Sequence, residues 1–157
     1  MTMNQHWFEI QDLYQRYAEI VDSADWDAWV ELFTDDCLYR VQPRENHERG
    51  LPLATLSLSS KAMLRDRAYG IRETLFHDPY YQRHVVSAPR IVSSEGDIVH
   101  ARANYAVFRT KLDELSTVFN VGRYIDVLRL EQGQWRFASR QCIFDSEMIP
   151  NSIIYPI

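Results

Sequence analysis

The stretch YYQRHVVSAPRIV, residues 80–92, sets His84 at the head of a run rich in valine and isoleucine. Imidazole is the side chain that exchanges a proton most readily near neutral pH. A carboxylate such as Asp22 can orient that ring and balance its charge, so the two residues could form a general acid/base pair. A tyrosine from the same interior, Tyr17 foremost, could polarise a carbonyl oxygen beside them. Tyr14, Asn104 and Tyr124 extend this candidate set. The same residues also have a plainer reading. His84 is then a buried hydrogen-bonding residue of the framework, and Asp22 caps the turn between two helices. Linear spacing leaves both open, because catalysis requires the groups to converge.

Other chemistries lack their residue patterns. The chain has no GxSxG elbow, no glycine-rich phosphate loop and no HExxH helix. His6, His47, His77, His84 and His100 show no close ligand spacing, and neither Cys37 nor Cys142 sits in a CxH or CxxH motif. The expectation is a chain without metal or cofactor of its own, whose two cysteines are buried thiols in a reducing cytosol.

The elements that must position these groups follow from periodicity. Ile10, Tyr14, Tyr17 and Val21 recur at four, three and four residues, which predicts a helix over residues 5–22 with an aromatic face. Trp26, Val30 and Phe33 continue the pattern into a short second helix, with Ser23 or Asp25 as N-cap. At this spacing Trp26, Trp29 and Phe33 read as core or subunit contact rather than as the wall of a ligand site. DCLYRV reads as a strand, and PRENHERGLPLATLSL as an irregular loop. From Ser60 a third helical stripe, Leu64, Ala68, Ile71 and Leu75, runs towards HDPYY, where Pro79 opposes continuation. Arg65, Arg67 and Arg72 on this segment suit either solvent or an acidic partner.

Everything after Gln82 reads as sheet: four antiparallel strands, with bends or bulges near Pro89 and Gly122. In DIVHARANYAVFR, Val99, Ala101, Ala103, Tyr105 and Val107 alternate with His100, Arg102, Asn104 and Ala106, giving one core face and one outer face. Helices first and strands afterwards predict an α+β fold, a curved antiparallel sheet wrapped around the N-terminal helices as a cone. Residues 1–157 form one domain on this reading, with residues 145–157 as a docking tail. Met148, Ile149, Ile153, Ile154, Tyr155 and Ile157 make that tail apolar, while Pro150 and Pro156 keep it out of regular structure. It must cover itself against its own domain or a neighbouring chain, and Ile153, Ile154, Tyr155 and Ile157 are the candidate subunit contacts.

A hydrophobic fraction of 46% with 25% charged residues is that of a folded globular chain. The net charge of −5, without a basic run, argues against nucleic acid and anionic lipid as partners. No apolar stretch is long enough for a membrane span, so the expected compartment is the cytosol.

YAEIVDSADWDAWVELFTDDCLYRV, RHVVSAPRI, GRYIDVLRLEQGQWRFASRQ and the closing DSEMIPNSIIYPI together resemble the small (β) subunits of bacterial aromatic-ring-hydroxylating dioxygenases. The first segment is also similar to the wider group of cone-shaped NTF2-like and SnoaL-like proteins. PRENHERGLPL and SKAMLRDR most resemble the salicylate, benzoate and terephthalate branch. The resemblance implies a structural, non-catalytic subunit. Its partner is then an oxygenase α subunit carrying a Rieske 2Fe–2S cluster and a mononuclear iron, and the chain itself trimerises within an α3β3 hexamer. The rival readings are a standalone cone-fold isomerase, dehydratase or cyclase using Asp22, His84 and Tyr17, and a small-molecule-binding module.

Overall fold

The computed structural model describes residues 3–149 and 152–157. Helix α1 (Met3–Asp22) carries the predicted stripe, and Ile10, Tyr14, Tyr17 and Val21 are all buried beneath it. Asp25 is the N-cap of α2 (Trp26–Glu31), accepting from the Ala28 N–H at 3.1 Å. This helix is shorter than its apolar pattern suggests. Phe33 instead opens strand β1 (Phe33–Pro43), because the Leu32 carbonyl turns away to accept from the Phe137 N–H at 2.8 Å.

The loop expected over PRENHERGLPLATLSL is partly ordered. Pro43 precedes a single helical turn, α3 (Arg44–Glu48), with its φ already set for entry, and β2 (Leu56–Leu58) then adds an antiparallel edge to β1. Ser60 caps α4 (Lys61–Tyr69) through the Met63 N–H. A wider π-type turn, Gly70–Thr74, follows, in which the Leu75 N–H reaches back to the Gly70 carbonyl. The widened turn rotates Leu75 off the apolar stripe, so Leu64, Ala68 and Ile71 are buried and Leu75 is exposed.

Five strands, not four, follow: β3 (Tyr80–Val86), β4 (Arg90–Glu95), β5 (Ile98–Lys111), β6 (Thr117–Glu131) and β7 (Gln134–Phe144). RHVVSAPRIVS breaks in two at Ser87–Pro89, where proline has no N–H for the ladder, and both halves pair antiparallel with successive parts of β5. The sheet is mixed rather than wholly antiparallel. It has seven strands in the order β2-β1-β7-β6-β5-β3, with β4 beside β5, and β1 runs parallel to β7. The bulge expected at Gly122 lies nearby, where the register slips between Val107 and Phe108. Gly122 itself is regularly paired, opposite Tyr105 and Phe144.

On β5 the alternation is as read: Val99, Ala101, Ala103, Tyr105 and Val107 face the core, while His100, Arg102 and Asn104 face out. The curved, open sheet wraps around α1, giving the α+β cone. No helix among the described residues is long and apolar enough to cross a membrane.

Candidate functional site

Asp22 is the last residue of α1, and α1 lies along β3, so the helix end delivers a carboxylate to the strand that carries His84. The carboxylate accepts three hydrogen bonds from one residue. The His84 backbone N–H reaches Oδ2 at 2.9 Å and Oδ1 at 3.2 Å, and ring Nδ1 donates to Oδ1 at 2.6 Å. A ring nitrogen held on a carboxylate in this way is the arrangement that orients an acid/base imidazole. Here, however, Nε2 is buried without a partner, and the His84 side chain is 0% exposed. Its nearest aromatic neighbour is Tyr17, ring edge to ring face at 6.4 Å between centroids.

The rest of the interior is aromatic around one ion pair. Arg140 Nε and Nη2 donate to the two oxygens of Asp126 at 3.0 and 2.8 Å, with both side chains fully buried. The Tyr14 hydroxyl also donates to Asp126. The guanidinium lies over the rings of Tyr124 (3.7 Å), Phe137 (4.1 Å), Tyr17 (4.2 Å) and Tyr14 (4.8 Å), so its positive charge meets four π faces. Burial leaves the Asp126 carboxyl raised from its ordinary value, although Arg140 pulls it down. Burial opposes the Arg140 charge, but Asp126 outweighs it and holds the guanidinium above its usual range.

The tail occupies what would otherwise be the open centre of the cone. The Ile157 main-chain oxygen accepts from the Tyr17 hydroxyl at 2.6 Å and the Tyr39 hydroxyl at 3.1 Å, and the Ile157 N–H donates to Tyr39 at 2.8 Å. Gln82 Nε2 donates to the Pro156 carbonyl at 3.2 Å, and Arg67 Nη2 donates to the carbonyls of Ile153 and Ile154 at 3.0 and 2.8 Å. Of the four tail residues singled out from sequence, Ile153 and Ile157 are buried in their own domain, and Ile154 and Tyr155 are half-buried. Pro150 lies outside the described residues. Tyr155 stacks obliquely on Tyr80 at 4.5 Å and bonds to His77 Nε2 at 2.6 Å.

A pH dependence follows from this buried set. Burial pushes the Cys37 thiol from 9.0 to about 11 and the Cys142 thiol from 9.0 to about 12. Burial likewise raises the phenols of Tyr14, Tyr17, Tyr39, Tyr105 and Tyr124 above 10.0. These folded values lie above the unfolded ones, so their contribution to stability is complete below about pH 9 and lost as pH rises through the folded values, the unfolded chain binding fewer protons there. The melting temperature should therefore fall from about pH 9 upward and more steeply above about pH 10. Phenolate absorbance should show most tyrosines ionising only with unfolding; their titration near 10 in an intact fold would refute this.

Of the six residues proposed for one polar set, the fold brings Tyr14, Tyr17, Asp22, His84 and Tyr124 to the interior, whereas Asn104 faces outward. Arg72 pairs with Asp27, Arg67 grips the tail, and Arg65 is exposed. The central pair was missed. Asp126 was legible by simple alternation with Tyr124 and Leu128 on β6. Arg140 was not: alternation from Trp135 and Phe137 would turn it outward, but the register slips where Leu128 opposes Phe137 and Val127 opposes Ser139, and this turns Arg140 inward. Among the described residues no three histidine, cysteine or acidic side chains converge to hold a metal ion. Cys37 and Cys142 are free and buried.

Residues 8–141 match the family model of the SnoaL-like domain. The chain is 30% identical to the anthranilate 1,2-dioxygenase small subunit of Burkholderia cepacia over 96% of its own length and 94% of that protein's. It is also 30% identical to the terephthalate 1,2-dioxygenase terminal oxygenase component subunit beta 1 of a Comamonas species, over 90% of this chain and 92% of that one. A crystal structure described as the β subunit of an aromatic-ring-hydroxylating dioxygenase from Novosphingobium aromaticivorans superposes with a TM-score of 0.90 at 36% identity, covering 98% of both chains.

Proposed function

We propose, for a chain that belongs to the SnoaL-like family and within it to the small (β) subunits of aromatic-ring-hydroxylating dioxygenases, a structural role in a cytosolic oxygenase. It is an oxidoreductase component that acts in aromatic-compound catabolism without a reaction centre of its own. Its partner is the large α subunit, which carries the Rieske cluster and the mononuclear iron, and the chain trimerises within an α3β3 hexamer. Asp22 and His84 act on the framework, fixing the end of α1 to β3.

The observation that carries this reading is the sealed interior. The His84 ring nitrogen turned away from Asp22 is enclosed, and the tail fills the space a substrate would need. Apolar surface is instead left outside. Tyr81 (79% exposed), Leu112 (87%), Leu115 (89%) and Val118 (62%) cluster at one end of β3, β5 and β6, bordered by Met148. A patch of that kind is what a subunit keeps for its neighbours. The acid/base reading retains one observation in its favour, the orientation of His84 by Asp22.

The two readings separate on His84→Ala and Asp22→Asn. As framework residues they leave a partner unsatisfied when changed, so each variant should lose on the order of 1–3 kcal/mol of stability and assemble less well with the large subunit. Ring hydroxylation per assembled complex should stay near the parent value. Unchanged melting and assembly with activity per complex reduced about a hundredfold or more would overturn the structural role.

A further inference from the structure

The outer face of the sheet has an apolar centre with opposite charges on its two sides. In one row across the strands Val85 of β3 lies opposite Ala106 of β5, and Ala106 opposite Val121 of β6; in a neighbouring row Arg83 lies opposite Phe108, and Phe108 opposite Val118. Val85, Val118 and Val121 are exposed, and Ala106 and Phe108 are half-buried, so these side chains share the outer surface. Beyond β6 the apolar ground continues into a hollow of about 370 Å³ bordered by Val118, Val121 and the exposed Met148. On the β3 side stands Arg83. It is exposed, and the carboxylate near it, Asp22 at 3.9 Å, already accepts from His84. On the far side Ser146 borders both that hollow and a second one of about 450 Å³, where Glu45, Glu48, Asp145 and Glu147 gather around Arg44. Arg44 pairs with Glu48 and Asp145, and Arg49 with Glu45, which leaves Glu147 without an ion-pair partner among the described residues. This side is therefore acidic in balance.

A face built this way is complementary to itself. When the β3 side of one copy is set against the acidic side of another, apolar ground covers apolar ground and a guanidinium meets carboxylates. We infer that the chain associates with itself through this face, Arg83 of one copy meeting Glu147 and the α3 side of the next around a contact centred on Val85, Phe108, Val118 and Val121. Every group that the contact needs belongs to this chain. Repeated about a threefold axis, the contact forms the trimer proposed above. The inference deepens that reading and rests on it.

Sedimentation of the full-length chain reads self-association directly, and the parent should run as a trimer at micromolar concentration. Val118→Asp puts a carboxylate in the apolar centre and should weaken self-association about thirtyfold or more. Arg83→Glu and Glu147→Arg should each weaken it about tenfold. The Arg83→Glu/Glu147→Arg double variant restores opposite charges across the contact and should return to within about threefold of the parent. All three positions are exposed, so the far-UV circular dichroism of every variant should match the parent, and recovery in the double variant is a result that misfolding cannot give. A trimer that survives Val118→Asp refutes the surface and leaves the trimer reading standing; if that variant has also lost capture of the large subunit, the face belongs to that chain instead. A double variant no better than its two single variants likewise overturns the charge pairing on which the surface rests. A parent that stays monomeric sinks the trimer reading itself, and the surface with it.

Discussion

Gly122→Ala is expected to leave little folded protein. A methyl group at this position would lie 2.0 Å from the Ile143 carbonyl oxygen and 2.8 Å from Phe144 Cα. Both atoms belong to the backbone of β7, which is held on its other side by β1 through the pairings of Gln42 with Ile143 and Pro43 with Phe144. No flexible side chain can yield, so relief requires one of two ladders to part. Overpacking of a core by a methylene typically costs about 1–3 kcal/mol; with backbone on both sides the loss here should exceed about 3 kcal/mol, a large fraction of a domain's marginal stability. Urea denaturation and soluble yield read the effect. Gly96→Ala is the control: Gly96 has φ of +58° and open space around it, so it should lose only about 1 kcal/mol. Equal, small losses at both positions would disprove the packing argument.

The second large effect belongs to Arg140. Arg140→Met should destabilise the chain by about 3–5 kcal/mol, because it leaves the Asp126 carboxylate buried without its counter-charge. The companion Asp126→Leu/Arg140→Met variant removes both charges and should recover most of that loss. What remains should be on the order of 1 kcal/mol for the Tyr14 hydroxyl, which loses its acceptor. Denaturant titration of the two single variants and the double variant gives the coupling directly. If Arg140→Met costs less than about 1 kcal/mol, the pair is not the electrostatic keystone that its burial and four ring contacts imply.

How much of this was legible beforehand differs by element. The helix of Tyr14 and Tyr17 could be read because packing on one side imposes its period on the sequence. The faces of β5 were readable for the same reason. The short helix after Pro43 and the edge strand β2 could not be read that way, since each is held by a long-range neighbour and neither buries enough of itself to leave a pattern. Asp22 and His84 were found by residue type, and their contact depends on where the end of α1 falls along β3. Arg140 was hidden by a one-residue slip in pairing, which reverses the meaning of every position beyond it. Whether the tail would cover its own cone was equally hidden, because Arg67, Gln82 and Tyr39, which hold it, look in sequence like ordinary members of a helix and two strands.

Among the described residues the parallel seam of the sheet joins β1, which follows directly on the N-terminal helices, to β7, the last strand in chain order. Residues that meet there are separated by roughly a hundred positions, so the seam forms only after a long loop has closed. Until that happens β1 has only the three-residue β2 as a neighbour, and the aromatic side of α1 lacks Phe137 and Arg140. A fragment grown from the N-terminus can pair β3, β4, β5 and β6 with one another, but it leaves β1 without the strand that joins it to them. The two parts of the sheet, β1 with β2 and β3 to β6, become one only when the last-made strand, β7, is laid between them.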